Sequence, residues 1–224
     1  MRRALLLPLL LGALATAAFR AEDTYTLFHK HTLDEVQRVV MTMEAKYDDL
    51  LFKSEVTMTQ KVTKVETDGA YTVEMTMTDQ RTSINGEEVP ADGEAPEPLT
   101  ISYDAKGNEI KSGPEDDEEN GPLDVAFDFE PDSPVEIGET WTPKKEDGEP
   151  ENIAWTLIGR EELDGKPVLV LDGRGKGPDD ETIESKVWLD SETYIARRAV
   201  SKITGIKQEE GPEGEMTVTI EEKP

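Results

Sequence analysis

The sequence contains no cysteine and only two histidines, His29 and His31. Without cysteine the chain can form no disulfide, cannot be lipid-modified at a cysteine and cannot bind a metal through thiolates. Its stability must therefore come from packing and hydrogen bonds alone. A domain of this size can supply that stability, because it buries about 70% of the surface that its unfolded chain exposes. Any reaction that needs a histidine base near neutral pH can use only these two side chains.

Basic residues are scarce relative to acidic ones. The chain has 24 Lys and Arg against 50 Asp and Glu, which gives a net charge of −26. Nucleic acids and anionic membrane surfaces are recognised by basic side chains that neutralise phosphates, so neither is an expected partner. A surface of this charge favours solubility and association with cations.

The only long apolar run lies at the N-terminus. Two arginines at positions 2 and 3 precede the run, and the small residues Ala15-Thr16-Ala17 end it. This order is typical of a secretory signal peptide. We therefore predict a signal peptide at residues 1–17 and a single β domain at residues 18–224, periplasmic or secreted, with no membrane span in the mature chain. Loss of the two arginines leaves a net charge of −28.

The segment Ser54–Arg81 predicts two long β-strands joined at Asp68-Gly69. An Asp-Gly pair between alternating runs is a strong hairpin signal, because a two-residue turn of this kind needs positive φ at its centre. Such a turn pairs Val62 with Met75. One face of the ribbon then carries the apolar side chains Val56, Met58, Val62, Tyr71, Val73, Met75 and Met77, and the other carries mainly threonines.

Alternating patterns predict further strands along the chain. They lie at residues 24–31, 99–103, 153–163, 166–172, 182–190, 194–204 and 215–221. In the first of them the alternation places Tyr25, Leu27, His29 and His31 on one side. A second Asp-Gly, Asp164-Gly165, joins two later strands, and a two-residue turn there places Trp155, Leu157, Val168 and Val170 on one face.

Residues 33–47 fit two structures. Thr32 and Glu35 have the spacing of a helix capping box, and the apolar residues that follow have helical spacing. The same stretch also alternates, is rich in β-branched residues and leads directly into the hairpin. We favour a strand from Val36 to Asp48 and keep the helix as the alternative.

These segments together predict an all-β protein with about ten strands and little helix. The expected architecture is a curved antiparallel sheet, either a half-barrel or an open barrel, with acidic loops rich in Pro and Gly. Residues 122–129 are expected to form a helical turn or an irregular strand that brings Leu123, Val125, Phe127 and Phe129 into the core.

A search for catalytic and metal-binding patterns identifies no catalytic residue and no cofactor. His29 and His31, with Asp34 or Glu35, are weak candidates for a divalent metal site, because no third ligand has a defined spacing. The glycine-rich segment 173–177 lacks the Lys-Ser/Thr pair of a phosphate-binding loop. Acidic loops at 115–119 and 179–181 lack the ligand spacing of a specific calcium site. No serine lies in a nucleophile motif.

Two motifs resemble known families. Phe129-Glu130-Pro131 followed by Pro134-Val135, Gly138 and Trp141 resembles the F-x-P…P-V-x-x-G-x-x-W signature of an uncharacterised family of exported bacterial β-proteins. The segment Trp188–Thr193 resembles the W-x-D-x-x-T turn of periplasmic lipoprotein-carrier-like proteins. The first resemblance implies export and a β fold. The second implies a half-barrel whose concave face holds acyl chains.

The sequence favours a non-catalytic exported protein that binds a hydrophobic ligand or a protein partner on the concave face of its sheet. The candidate lining residues are Met58, Val62, Val73, Met75, Met77 and Trp155, although the same residues could form a closed core. One alternative is a structural protein of the cell envelope with an acidic, cation-associating surface. Another is an enzyme that uses His29 or His31 as its base.

Overall fold

The computed structural model describes residues 24–90, 97–105, 110, 129–144, 152–207 and 213–223. In these ranges the chain forms thirteen β-strands and no helix, so the all-β prediction is confirmed and no helix there could cross a membrane. The strands are β1 (Thr24–Tyr25), β2 (Val36–Tyr47), β3 (Leu50–Val65), β4 (Tyr71–Ile84), β5 (Glu87–Val89), β6 (Leu99–Tyr103), β7 (Val135–Glu136), β8 (Thr140–Trp141), β9 (Ile153–Leu163), β10 (Lys166–Lys176), β11 (Thr182–Asp190), β12 (Ala196–Ile206) and β13 (Gly214–Lys223). The predicted signal peptide, and all of the 122–129 segment except Phe129, lie outside the described residues.

Eleven of the strands form one antiparallel sheet. Its order is β5-β4-β3-β2-β13-β12-β11-β10-β9-β8. Strand β6 also pairs with β4, at the N-terminal end of that strand, whereas β5 pairs with its C-terminal end. β1 and β7 form a separate two-stranded sheet. Most neighbouring strands in the large sheet follow each other in the chain. The pair β2–β13 is an exception, because it brings together the first and the last long strand. The sheet does not close into a barrel.

The ambiguous segment before the hairpin is a strand, Val36–Tyr47. The capping-box residues are used in a turn instead of a helix. The Glu35 carboxylate accepts a hydrogen bond from the Thr32 backbone N–H at 3.0 Å, and the Glu35 N–H donates to the Thr32 carbonyl at 3.1 Å. Asp34 has φ of 62°, which interrupts any helix at this point. The chain then pairs with β3 along its whole length.

The predicted register of the first hairpin is wrong by two residues. Val62 pairs with Val73, and not with Met75. The turn is a three-residue loop, because the Gly69 N–H donates to the Glu66 carbonyl and Glu66 pairs with Ala70. Gly69 adopts φ of 97°, as this type of loop requires.

A bulge at Thr63 shifts the first hairpin by one further residue, so the two shifts together preserve the alternation. The apolar residues of the ribbon therefore share one face, although their partners differ from those predicted. The cross-strand contacts of that face are Val62 with Val73 and Met58 with Met77.

The second hairpin has the predicted turn but a different face. Leu163 pairs with Lys166 around Asp164-Gly165, both of which have positive φ. A bulge at Ile158 then changes the alternation, so that Leu157 pairs with Leu171. Trp155 and Leu157 therefore share a face with Leu169 and Leu171, and the prediction that they share it with Val168 and Val170 is wrong. All four residues of β10 from Val168 to Leu171 are fully buried, so both sides of this ribbon are covered.

We call the side of the large sheet that carries Trp155 and Met58 the inner face, and the opposite side the outer face. Trp188 lies on the outer face, opposite Val170. Its indole N–H donates to the Glu161 carboxylate on β9 at 3.2 Å, so the ring reaches across β10. This position explains how an outward-facing valine is buried.

Residues 24–35 form an N-terminal strap across the inner face. Only Thr24–Tyr25 is a strand, so the predicted strand at 24–31 is shorter than expected. The Arg160 guanidinium on β9 lies 5.3 Å from the Tyr25 ring, and at the other end the His31 and Tyr71 rings are 4.2 Å apart. Between these contacts Leu27 is fully buried in the core cluster that also contains Trp155.

The strap spans the inner face of a curved sheet. Six residues separate Tyr25 from His31 and span about 20 Å when extended. β9 and β4, which the strap joins, are seven strand spacings apart, or roughly 34 Å in a flat sheet. The strap reaches both strands only with the help of the side chains at its ends, and the sheet curves around it so that its inner face is concave. The prediction of a curved antiparallel sheet is confirmed.

The Trp188–Thr193 motif ends β11 in a turn held by Asp190. One carboxylate oxygen accepts the N–H groups of Glu192 at 3.0 Å and Thr193 at 3.1 Å, and the other accepts Nε of Arg197 at 2.9 Å. Burial raises the pKa of Asp190, but these hydrogen bonds and the charge of Arg197 outweigh it and lower the pKa overall. Arg197 also reaches Glu222 on β13 at 2.9 Å. Asp190 therefore links the turn to the last strand.

Replacing Asp190 with alanine is expected to lower the free energy of unfolding by about 2 kcal/mol, because two backbone N–H groups lose their acceptor and the largely buried Arg197 guanidinium keeps only Glu222. Urea denaturation at neutral pH would measure the loss. Glu192→Ala is the matched control, since this exposed carboxylate of the same turn makes no side-chain hydrogen bond in the described structure. Equal stability of the two variants would contradict the assigned role of Asp190.

Candidate functional site

The inner face has two parts that differ in what covers them. Over β9–β12 the inner face is covered by the strap and by Phe129 and Val135, which are buried in the same cluster as Tyr25 and Leu27 of the strap. The Phe129 ring lies 5.9 Å from the Trp155 ring in an edge-on arrangement, and the Phe129 carbonyl accepts the indole N–H of Trp141 at 2.8 Å. Trp155 is completely buried and lies against Gly173, where an added Cβ would fall 2.7 Å from the indole. This part is a closed core.

Over β2–β4 the inner face carries a group of partly exposed methionines. We call Met41, Met43, Met58, Met75 and Met77 the methionine face. Every methionine of the sequence except Met1 lies on the inner side of the sheet, since the sixth, Met216, pairs with Ala45 and is buried. Met58 and Met77 are directly opposite each other on neighbouring strands. All five members of the face remain partly accessible to solvent, and Met41 and Met43 also pack against the core cluster that contains Trp155.

The methionine face has a buried apolar floor at one end. Val62, Tyr71 and Val73 are buried and form a cluster with Met75 and Tyr103. The Tyr71 and Tyr103 rings stack with centroids 5.0 Å apart, and His31 of the strap closes this end by packing on Tyr71. The floor and the strap therefore limit the face on one side, and the methionines extend from it towards the opposite ends of the strands.

The structure brings most of the predicted lining residues together. Met58, Met75 and Met77 lie on the methionine face, and Val62 and Val73 lie in the floor beside it. Trp155 lies on the same side of the sheet but in the closed core. Met41 and Met43 were not among the predicted lining residues, although they alternate along β2. Their contribution depends on the pairing of β2 with β3, which the alternation alone does not specify.

Two glutamines lie among the apolar side chains of the inner face. Gln37 on β2 is directly opposite Gln60 on β3, and Gln60 is opposite Met75 on β4. The Gln60 amide donates a weak hydrogen bond to the Met75 sulfur at 3.5 Å. Sequence reasoning did not identify this pair, because glutamine is unremarkable at an exposed strand position. The sequence signal that could have identified them is the alternation along β2 and β3, which places both glutamines on the inner face.

The two histidines lie side by side in the strap. Their rings are 5.8 Å apart and almost perpendicular. His29 Nε2 and His31 Nδ1 are buried and make no hydrogen bond in the described structure. The nearest carboxylate oxygens are those of Glu130, 3.9 Å from His29, and Glu35, 3.6 Å from His31. Burial, with a smaller contribution from His31, lowers the pKa of His29 from 6.5 to about 4. Burial also lowers the pKa of His31, against the opposing effect of Glu35.

The described residues contain no group of three or more His, Asp or Glu side chains close enough to hold a metal ion. His29 and His31 are thus largely buried imidazoles of the strap, with side chains 22% and 12% exposed, and the described residues add no third ligand to them. Most of the glycine-rich segment 173–177 belongs to β10. In the acidic turn at 179–181 the buried Glu181 carboxylate accepts the Asp179 N–H at 2.9 Å, so it serves the turn itself. The 115–119 loop lies outside the described residues.

The outer face of β13 and β2–β4 contains a polar groove of about 550 Å³. Basic and acidic side chains alternate along it, namely Arg38, Arg81 and Lys223 with Glu55, Asp79 and Glu221. Arg81 pairs with Asp79 at 3.1 Å. The charges therefore balance locally, and the groove has no preference for a ligand of one sign.

No family model matches the sequence, and no curated protein matches it. Among solved structures, one of lipovitellin, concerned with its lipid–protein interactions, is similar over 87% of this chain with a TM-score of 0.50 and 9% sequence identity. The matched region is 26% of the lipovitellin chain, so the protein corresponds to about a quarter of it. At this identity the similarity shows a shared fold.

Two bacterial structures are also similar at low scores. One is a putative outer membrane lipoprotein-sorting protein domain from Vibrio parahaemolyticus, at 14% identity and a TM-score of 0.23, covering 84% of this chain and 83% of the other. The second is a LolA superfamily protein from Nitrosomonas europaea, at 7% identity and a TM-score of 0.22, covering 87% and 86%. These superpositions are too loose to support an argument about function.

Proposed function

We propose that the protein is an exported, non-catalytic binding protein that holds a hydrophobic ligand on its methionine face. The observation that carries this proposal is the concentration of five partly exposed methionines on the concave side of the sheet, in a chain of which 33% of residues are charged. Partly exposed apolar side chains that cluster on one face of a highly charged protein are typical of a binding site. Lipovitellin, whose fold the sheet shares, interacts with lipid.

Methionine suits such a site because its side chain is unbranched, flexible and polarisable, and can adapt to ligands of different shape. The buried floor formed by Val62, Tyr71 and Val73 would hold one end of the site while the methionines adjust. A small hydrophobic molecule fits this arrangement better than a folded partner does, because the face is concave and the strap limits access at one end. Trp155, in the closed core, would support the site without touching the ligand.

Replacing Met75 with glutamate is expected to weaken binding of a neutral hydrophobic probe at least 10-fold, because a carboxylate in the apolar site must be desolvated. Titration with Nile red, followed by fluorescence, would measure the affinity. Thr76→Glu is the matched control, since it places the same charge one residue away on the outer face, and it should bind the probe as the parent protein does.

Far-UV circular dichroism and thermal melting would establish that both variants are folded. If Met75→Glu unfolds while Thr76→Glu does not, Met75 belongs to a closed core and the proposal is wrong. Unchanged probe binding in a folded Met75→Glu protein would also contradict it.

A further inference from the structure

Three methionines of the inner face occupy adjoining positions on β3 and β4. Met58 is directly opposite Met77, and Gln60, the next inward residue of β3, is directly opposite Met75. These four residues are the corners of one cross-strand rectangle, and we call Met58, Met75 and Met77 the thioether triad. All three side chains are partly exposed, so the triad is open to a small solute.

The spacing of the corners allows the three sulfur atoms to approach one point. Directly opposite residues have Cβ atoms about 5 Å apart, and alternate residues of one strand are about 7 Å apart. A methionine side chain is unbranched and flexible, so each sulfur can turn towards the centre of the rectangle. The Gln60 amide already lies 3.5 Å from the Met75 sulfur, which shows that side chains at these corners extend towards each other. A single ion over the rectangle can therefore contact all three thioethers.

Thioether sulfur is a soft, neutral ligand and selects soft metal ions such as Cu(I). The chain has no cysteine, so thioethers are its only sulfur ligands. Calcium and magnesium need oxygen ligands, chiefly carboxylates, and zinc needs thiolate, imidazole or carboxylate ligands. The class of ion that the triad can hold therefore depends on whether any of these harder ligands lies beside it.

The described surroundings of the triad supply no harder ligand of this kind. No described inward-facing position of β2, β3 or β4 carries Asp, Glu or His. Buried Val62 and Val73 lie between the triad and the Tyr71 ring, on which His31 of the strap packs. The arrangement favours a soft ion over a divalent cation that binds oxygen.

A single positive charge suits the electrostatics of this face. The net charge of −26 attracts cations at long range. Desolvation is costly for any ion on an apolar face, and it costs much less for a monovalent ion than for a divalent one. The Gln60 carbonyl oxygen can also turn towards an ion once the amide releases the Met75 sulfur. A monovalent ion therefore needs no carboxylate partner here.

We propose that the thioether triad binds one Cu(I) ion through the sulfur atoms of Met58, Met75 and Met77. The ion lies over the rectangle, with Gln60 as its fourth neighbour. This inference goes beyond the hydrophobic ligand and does not rest on it, because it depends on sulfur atoms and not on apolar area.

Competition for Cu(I) with the colorimetric chelator bicinchoninate, under anaerobic conditions with ascorbate, would test the site. The parent protein should take up one Cu(I) per chain. The variant Met58→Leu/Met77→Leu should bind Cu(I) at least about 10-fold more weakly, since loss of even a supporting partner of a metal ligand costs that much. Leucine conserves the volume and apolar character of methionine, so the variant should fold. Equal affinity of the two proteins, or no uptake by the parent, would overturn the proposal.

Met43→Leu is the matched control, since Met43 lies on β2 opposite Ser54 and outside the rectangle. It should bind Cu(I) as the parent protein does, and an equal loss in this variant would contradict the assignment of the triad. Far-UV circular dichroism would establish that each variant is folded. If the double variant does not fold, Met77→Leu alone should show a loss in the same direction.

X-ray absorption at the copper edge would identify the ligand atoms in the parent protein. Sulfur neighbours from the triad are expected to dominate the spectrum. A spectrum dominated by nitrogen would place the ion on His29 and His31 and would overturn the proposal.

Nile red binding separates this proposal from the proposed function. Met58→Leu/Met77→Leu should bind the dye as the parent does, because the substitutions keep the apolar area. If the parent binds the dye but takes up no Cu(I), only the metal site is wrong. If it takes up Cu(I) through the triad and does not bind the dye, the proposed function is wrong and the metal site is supported.

Discussion

Replacing Gly173 with alanine is expected to lower the free energy of unfolding by about 3 kcal/mol. The added Cβ would lie 2.7 Å from the Trp155 indole, which is completely buried and packs edge-on against Phe129. Overpacking a rigid core costs about 1–3 kcal/mol, and occasionally more. Here the ring has little room to move, so the cost should lie at the upper end. Urea denaturation would measure it.

A double-mutant cycle would show that the indole causes the cost. In a Trp155→Leu background the same Gly173→Ala change should cost less than about 1 kcal/mol, because the smaller side chain leaves space for the methyl group. Ala154→Val is a control on the adjacent strand, where the side chain is exposed. Equal cost of Gly173→Ala with and without Trp155 would contradict the close packing that we describe.

Acidification from pH 7 to about pH 4 is expected to remove up to about 3 kcal/mol of stability through His29. In the folded protein the pKa of His29 is lowered from 6.5 to about 4, chiefly by burial. Between these values the unfolded chain binds a proton that the folded chain does not, so stability falls as the pH falls through this window. His31 acts in the same direction, while protonation of carboxylates relieves the repulsion within a chain of net charge −26 and opposes the effect.

The His29→Gln variant isolates the contribution of the imidazole. Glutamine does not titrate, so the variant should show a smaller loss of stability between pH 7 and pH 4 than the parent, and the difference is the contribution of His29. Urea denaturation at several pH values would measure both proteins. Parallel pH profiles would show that His29 is not held neutral by burial.

The strands of this protein could be predicted well because their alternation is regular. β6, β9 and β11 have the predicted bounds. The ambiguity at 33–47 was resolved by contacts that the segment itself does not contain, since β2 is paired on both sides, with β3 and with β13. A fully paired ribbon favours the strand over the helix.

Bulges account for most of the errors in register. The extra residues at Thr63, Thr78 and Ile158 each change which side chains face each other. A bulge inserts a single residue into an alternating run and leaves the composition of that run unchanged, so the pattern cannot locate it. Because of the extra residue at Ile158, Val168 and Val170 lie on the outer face and not on the face of Trp155, where they were predicted. In the first hairpin two shifts compensated, and the predicted apolar face was preserved.

The candidate site could be predicted only in part. The hairpin alone places Met58, Met75 and Met77 together, because they alternate around one turn. Phe129 and the strap cover Trp155 and leave Met58 open. Both are distant in sequence from these two residues. The pairing of Gln37 with Gln60 likewise depends on the register between β2 and β3. These contacts are non-local, and no local pattern encodes them.

The pairing of β2 with β13 has a consequence for the order of folding. β2 begins at Val36 and β13 ends at Lys223, so the central seam of the sheet joins segments from opposite ends of the chain. Loop closure over such a separation is slow, and topologies of this kind have high contact order. During synthesis β3, the hairpin partner of β2, is made long before β13, its other neighbour. The two halves of the sheet can therefore unite only after the last strand has left the ribosome, although hairpins within the first half can form before then.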